Sequence, residues 1–183
     1  MLWRIHFTSS PHPTPWNGLR TWGPVPSSRW DPHPEPAGDY APLGAAYLGE
    51  SVDTCLGEVF QLTRFVDVDR HAPYVTAIRT AADVSLADLT GPWLTRAGAS
   101  AQVALQEKRR TGAWARAIHA AWPDLDGVLA PSAMVGGRRV IALWNNRAMP
   151  SSPEFSVPLN SPAIAADVAN AARSIGFTSN LVV

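Results

Sequence analysis

The chain is poor in several things, and each shortage excludes a class of structure or function. One cysteine, Cys55, stands among 183 residues, so neither an internal disulfide nor a cysteine-based zinc knuckle can form. That usage fits a reducing compartment. No run approaches the roughly 18 apolar residues of a membrane-spanning helix. The start of the chain also lacks a basic segment leading into an apolar signal core. The expectation is a soluble, cytoplasmic protein without a membrane partner. Charge is scarce and balanced, with 15 basic and 15 acidic residues. A clamp for nucleic acid needs a surplus of Lys and Arg, so no direct nucleic-acid partner is expected. Lysine is nearly missing: Lys108 stands alone beside 14 arginines.

Several chemical signatures are missing too. There is no GxGxxG and no P-loop, so no glycine loop cradles phosphates at a helix start. HExxH is missing, and the five histidines at 6, 12, 33, 71 and 119 have no ligand spacing, so no metal is expected. GxSxG is missing, which argues against a hydrolase elbow. Cys55 falls on an apolar helical stripe and reads as a packed thiol rather than a nucleophile.

What is abundant lies at the front. Nine of the 17 prolines precede residue 43, and four of the eight tryptophans lie within the first 30 residues. Proline removes donors and fixes φ, so residues 8–42 can hold neither a long helix nor a central strand. Trp16, Trp22 and Trp30 argue against disorder in that segment.

Leu2 to Phe7 alternates as a strand, with Trp3, Ile5 and Phe7 on the core face and Arg4 on the other. Ala45 to Leu48 reads as a short strand ending at Gly49. Ser51 then caps a helix over 52–64, with Val52, Cys55, Leu56, Val59 and Phe60 as its buried stripe and Glu58 on the flank. A strand is expected over 73–80, weak helical stretches over 84–96, and a helix over 101–121 with Val103, Trp114, Ala117, Ile118 and Ala121 along one face. Two strands follow at 127–130 and 139–144, joined by a turn at Gly136-Gly137. A last helix opens with Ser161 and Pro162 and stops at Gly176. This order describes an α+β fold in a single domain over 1–183, without the β-α alternation of a doubly wound sheet.

With the usual motifs gone, arginine, tyrosine, glutamate and serine remain. Guanidinium grips a pyrophosphate in bidentate fashion, and a tyrosine face stacks on a base. One carboxylate beside a sugar stabilises an oxocarbenium-like transition state. Such residues occur in every protein, and their spacing alone decides nothing.

Their order is more informative. Leu2-Trp3-Arg4-Ile5, Ser28-Arg29-Trp30-Asp31-Pro32, Ala46-Tyr47-Leu48-Gly49-Glu50-Ser51, Cys55-Leu56-Gly57-Glu58-Val59 and Val128-Leu129-Ala130-Pro131-Ser132-Ala133 follow one another as in the RES-domain family. The chain resembles that family, the toxins of bacterial RES–Xre toxin–antitoxin pairs, from its first residues to about 160. The family's eponymous Arg, Glu and Ser would be Arg29, Glu58 and Ser132. Two departures stand out: Ser27-Ser28 replace the family's Gly-Gly or Gly-x, and Asp31 with a longer Pro-rich link replaces its Asn.

The resemblance implies a split mixed or antiparallel sheet with flanking helices, similar to ADP-ribosyltransferases, whose cleft takes NAD as substrate. It implies cleavage of the nicotinamide–ribose bond, with water, inorganic phosphate or a target protein as acceptor. It also implies an Xre-type antitoxin that blocks the cleft; a homodimer is compatible with it. Arg29 and Glu58 would be catalytic. Arg4 and Arg29 would hold phosphates, Tyr47 would stack on nicotinamide or hydrogen-bond the ribose, Trp30 would also contact NAD, and Ser132 and Asn145 would supply polar contacts. Without the family, Arg29 reads as a loop arginine, Glu58 as a solvated helix edge, Tyr47 and Trp30 as packing residues and Ser132 as a turn residue. The competing functions are ADP-ribosylation of one protein and a degenerate RES domain that only binds partners.

Overall fold

The computed structural model describes residues 1–181. In chain order they form β1 (Leu2–Phe7), β2 (Trp22–Gly23), β3 (Gly38–Asp39), β4 (Ala46–Gly49), helix α1 (Val52–Val59), β5 (Phe65–Val66), β6 (Pro73–Ile78) and β7 (Leu86–Asp88). There follow the single turn α2 (Trp93–Arg96), a 3₁₀ turn (Ala101–Leu105), α3 (Lys108–Ala121), β8 (Gly127–Pro131), β9 (Arg139–Leu143), β10 (Phe155–Pro158), a second 3₁₀ turn (Pro162–Ile164), α4 (Ala165–Ser174) and β11 (Thr178–Ser179).

Seven strands make one sheet in the order β10-β6-β1-β4-β9-β8-β7. All neighbours are antiparallel except β7 and β8. The sheet is split in its middle. β1 pairs with β6 along its whole length, and β4 pairs likewise with β9. Between β1 and β4 only Trp3 and Gly49 face each other. Cys55 of α1 braces this join, its thiol donating to the Trp3 carbonyl at 3.1 Å. Gly49 makes the approach feasible, because a Cβ there would lie 2.8 Å from the Cys55 sulfur.

Each half-sheet packs one core under its helices, and a third cluster of Ile78, Ala46, Leu48, Ile141 and Leu143 spans both halves. Ile5 and Val75 pack with Leu56 of α1, with Phe60 just beyond its end, and with Val168 and Ala172 of α4. Val128, Ala130, Ala142 and Trp144 pack with Leu94, Val103, Ala115 and Ile118 under α2 and α3. The alternation in β1 is as expected: Trp3, Ile5 and Phe7 face the first core. The other face is also covered, for Arg4 and His6 are each only 7% exposed. The cover is the proline-rich segment. Arg4 Nη1 donates to the carbonyls of Trp16 at 2.8 Å and Gly18 at 2.7 Å, and Trp16 and Leu19 pack beside Leu48 and Ile141. That segment is ordered through β2 and β3 and a bridge between Arg20 and Ala45. Its Gly23–Pro24, Glu35–Pro36 and Ala41–Pro42 peptides are cis.

Three expectations are corrected. Residues 84–96 are helical only in the single turn Trp93–Arg96: Leu86–Asp88 joins the sheet edge alongside β8, and the Asp126 carboxylate accepts the Ser85 N–H at 2.8 Å. Sheet pairing there overrides a weak local preference. The helix over 101–121 is broken at Gln106 and Glu107, both with extended ψ. The break shifts the buried face of α3 to Thr111, Gly112, Ala115 and Ile118 and leaves Ala117 and Ala121 exposed. The first helix stops at Val59, five residues short of 64, because the chain turns into β5 through Arg64 at φ 50°. The last helix opens as a 3₁₀ turn whose Ser161 side chain makes no cap bond. It ends as expected at Gly176, φ 73°.

Candidate active site

A cavity of about 340 Å³ opens where β1 and β4 part. Arg4 and Ile5 line it from β1, Ala46 to Gly49 from β4 with Ala45 just before it, Cys55 and Glu58 from α1, and Ser27 to Trp30 from the loop. Pro131, Ala133, Arg20 and Lys108 complete its charged and turning walls.

Glu58 is held from one side. Its Oε1 accepts the Ser132 hydroxyl at 2.6 Å and the Ala133 N–H at 2.9 Å. The Ser132 oxygen in turn accepts the N–H groups of Met134 at 3.1 Å and Val135 at 3.0 Å. A carboxylate so gripped has its orientation fixed by one oxygen, while Oε2 has no partner among the described residues. Gly57 permits this arrangement: a Cβ there would meet Val135 Cγ2 at 2.8 Å and Met134 Cβ at 3.3 Å. Gly57→Ala should push the 132–135 turn off α1 and loosen its grip on Glu58. Overpacking costs about 1–3 kcal/mol, more than the roughly 1 kcal/mol gained in helix propensity. A melting temperature a few degrees lower, with a larger fall in activity, is the expected outcome.

Arg29 is delivered by a loop whose successive residues are each tied down. The Arg29 carbonyl accepts the Tyr47 hydroxyl. The Trp30 carbonyl accepts Trp144 Nε1 at 3.0 Å. Trp30 adopts φ 52°, a left-handed conformation costing a large side chain about 1–2 kcal/mol. Its indole is 1% exposed and packs in the second core, so it anchors the loop as well as lining the cavity. Asp31 is the hub. Its Oδ2 accepts the Val25 N–H and Arg20 Nη2, each at 2.8 Å. Its Oδ1 accepts the His33 N–H at 3.1 Å and the His33 ring Nδ1. Burial alone would raise the Asp31 pKa, but the His33 ring bond, the two N–H groups and the Arg20 charge together bring it down to about 2.

The guanidinium of Arg29 donates from Nη1 to the Gln106 carbonyl, and its Nε is buried without a partner. Burial lowers the pKa of Arg4 to about 10, which leaves it protonated at neutral pH. His6 beside it is driven by burial, and then by the Arg4 charge, to about 4. Burial lifts the Tyr47 phenol well above its ordinary range and the Cys55 thiol to about 12. Cys55 is therefore a packed thiol, not a thiolate nucleophile.

The structure thus brings Arg4, Arg29, Trp30, Tyr47 and Glu58 to one cavity. Two residues are placed differently from expectation. Ser132 spends its hydroxyl on Glu58, so it orients the carboxylate instead of meeting a ligand directly. Asn145 is not at the cavity: its Nδ2 donates to Asp126 Oδ1 at 2.9 Å and its Oδ1 accepts the Arg147 N–H at 3.1 Å. Arg20, Asp31, His33 and Lys108 went unassigned in the sequence. For Asp31 and His33, the Asp-x-His spacing directly after Trp30 was the available signal. Among the described residues no group of His, Cys, Asp and Glu is arranged to hold a metal ion, and no helix is long and apolar enough to cross a membrane.

The sequence pattern of the RES domain matches residues 1–163. The chain belongs to the RES domain family. No curated protein matches it. Among solved structures, a chain in the crystal structure of the M. tuberculosis MbcT–MbcA toxin–antitoxin complex shares the fold, with a TM-score of 0.58 and 19% identity. The match covers 91% of this chain and 87% of that one. Two of the three residues placed by motif, Glu58 and Ser132, touch in this RES domain, and Arg29 lines the same cavity. The shared fold accounts for the split sheet, and Asp31 with its partners orders the loop that carries Arg29.

Proposed function

We propose that this RES domain is the toxin of a toxin–antitoxin pair and consumes NAD by breaking the nicotinamide–ribose bond. The observation that carries the reading is the held carboxylate: Glu58, fixed through Oε1 by Ser132 and Ala133, lines a cavity whose other charged residues are Arg4, Arg20, Arg29 and Lys108. Nicotinamide leaves as a neutral molecule from a cationic glycoside, so the leaving group needs no general acid. What the reaction needs is a negative charge near the anomeric carbon as positive charge develops there. One oriented carboxylate supplies it, and the free oxygen of Glu58 can also align the attacking water or phosphate. Arg29 and Arg4 hold the phosphates, and Tyr47 lines the nicotinamide side of the cavity.

The antitoxin is an Xre-type partner that covers the cavity mouth; membership of the family and the fold shared with a chain of a toxin–antitoxin complex support this. The departure at Asp31 speaks against a degenerate binding module, since Asp31 builds the loop that delivers Arg29. Induced expression in a bacterial host tests the reading. Growth should stop while the cellular NAD pool falls, and co-expression of the partner should restore both. Unimpaired growth with a steady NAD pool would refute it.

A further inference from the structure

Lys108 lines the cavity, its ammonium without a hydrogen-bond or ion-pair partner among the described residues. The charges around that cavity are Arg4, Arg20, Arg29 and Lys108 against the single carboxylate of Glu58. Arg20 is neutralised at 2.8 Å by Asp31. Arg4 keeps its charge, because the groups it meets are carbonyls. Arg29 also meets only a carbonyl, and neither Arg29 nor Lys108 forms an ion pair with a carboxylate among the described residues. Three uncompensated cations against one carboxylate leave an excess of two positive charges, which matches the two ionised oxygens of a diphosphate diester.

The placement of two of these cations is coordinated by the fold. Gln106, whose carbonyl holds the Arg29 guanidinium, lies two residues before Lys108, the first residue of α3. The break that separates α3 from the preceding 3₁₀ turn therefore does two things. It supplies the carbonyl that fixes Arg29, and it sets the half-buried Lys108 into the cavity wall. Arginine offers a planar fork for one phosphate; lysine offers a compact charge on a flexible stem that can follow the second.

We propose that Lys108 joins Arg29 and Arg4 in a diphosphate subsite, with Lys108 the residue by which the cavity selects a dinucleotide over a mononucleotide. This rests on the reading of NAD as substrate, and the test separates the two. Calorimetric titration of the whole protein with ADP-ribose and with AMP provides the readout, at two salt concentrations.

Lys108→Ala should weaken ADP-ribose binding about tenfold, as for the loss of one charge-assisted contact, and flatten its salt dependence. AMP affinity should change less than threefold. Lys108→Arg should retain most of the ADP-ribose affinity, and Arg109→Ala, a neighbouring charge outside the cavity lining, should bind as wild type. Unchanged melting temperatures exclude a folding effect. Equal ADP-ribose affinity in wild type and Lys108→Ala overturns the subsite, as does an equal loss in Arg109→Ala. If wild type releases nicotinamide but Lys108→Ala binds ADP-ribose normally, the NAD reading stands and the subsite falls. If Lys108→Ala shows its tenfold loss but wild type releases no nicotinamide, the subsite stands and the cleavage reading falls.

Discussion

Glu58→Gln should lower nicotinamide release from NAD by at least 10²- to 10³-fold while the protein melts within a degree or two of wild type. The amide is nearly isosteric, and its oxygen can still accept the Ser132 hydroxyl and the Ala133 N–H that now hold Oε1. What disappears is the negative charge. In a water-poor cavity a preorganised group facing developing charge is worth about 3–4 kcal/mol, which sets the expected factor. Ser132→Ala should cost less, roughly 10- to 100-fold. It leaves Glu58 charged but held by Ala133 alone, and it strips the N–H groups of Met134 and Val135 of their acceptor. Single-turnover release measured for both variants checks the order. Near-normal turnover in Glu58→Gln would remove the carboxylate from the reaction.

Asp31→Ala has the largest expected effect on stability. It leaves the fully buried His33 ring and the partly buried Arg20 without their carboxylate and frees the Val25 and His33 N–H groups. Removing one partner from a buried ionic cluster costs about 3–5 kcal/mol, or roughly 6–20 °C in melting temperature for a chain of this length. Because Arg29 and Trp30 immediately precede the hub, substrate affinity should fall with it.

The pH dependence follows from the direction of the shift. The folded-state pKa of about 2 lies below the unfolded value of roughly 3.9. The stabilisation from Asp31 is therefore complete above about pH 4, on the order of 2 kcal/mol by linkage, and is lost as pH falls toward 2. The stability gap between wild type and Asp31→Ala should narrow across that window. A gap that stays constant from pH 5 to pH 2 would show that folding does not displace the Asp31 pKa from its unfolded value. Denaturant melts at pH 7, 4 and 2.5 give the comparison.

Much of the framework was legible in the sequence because it rests on local patterns. β1 reads from alternation, the stripe on α1 from its 3.6-residue period, and the last helix from Pro162 and Gly176. Motif order assigned Glu58 and Ser132 to one site, but the hydrogen bond between them, 74 residues apart, had no signal in the sequence. The remainder depends on tertiary structure. Leu86–Asp88 becomes a strand only because β8 offers an edge. The helix over 101–121 is interrupted where Gln106 turns its carbonyl to Arg29, a partner 77 residues away. The split of the sheet rests on a single pair, Trp3 with Gly49, and no periodicity marks where pairing will stop. Asp31 showed itself in the sequence only as a departure from the family pattern; its four bonds to Val25, His33 and Arg20 explain why an acid is accommodated there.

The central claim is that the cavity between β1 and β4 is a site for breaking the nicotinamide–ribose bond. Its most direct test is to incubate the purified protein with NAD, with and without inorganic phosphate, and to follow free nicotinamide by chromatography. The account predicts release of nicotinamide with at least one of the two acceptors, in amounts well beyond the protein present, and abolished in Glu58→Gln. Intact NAD after prolonged incubation under both conditions would contradict it.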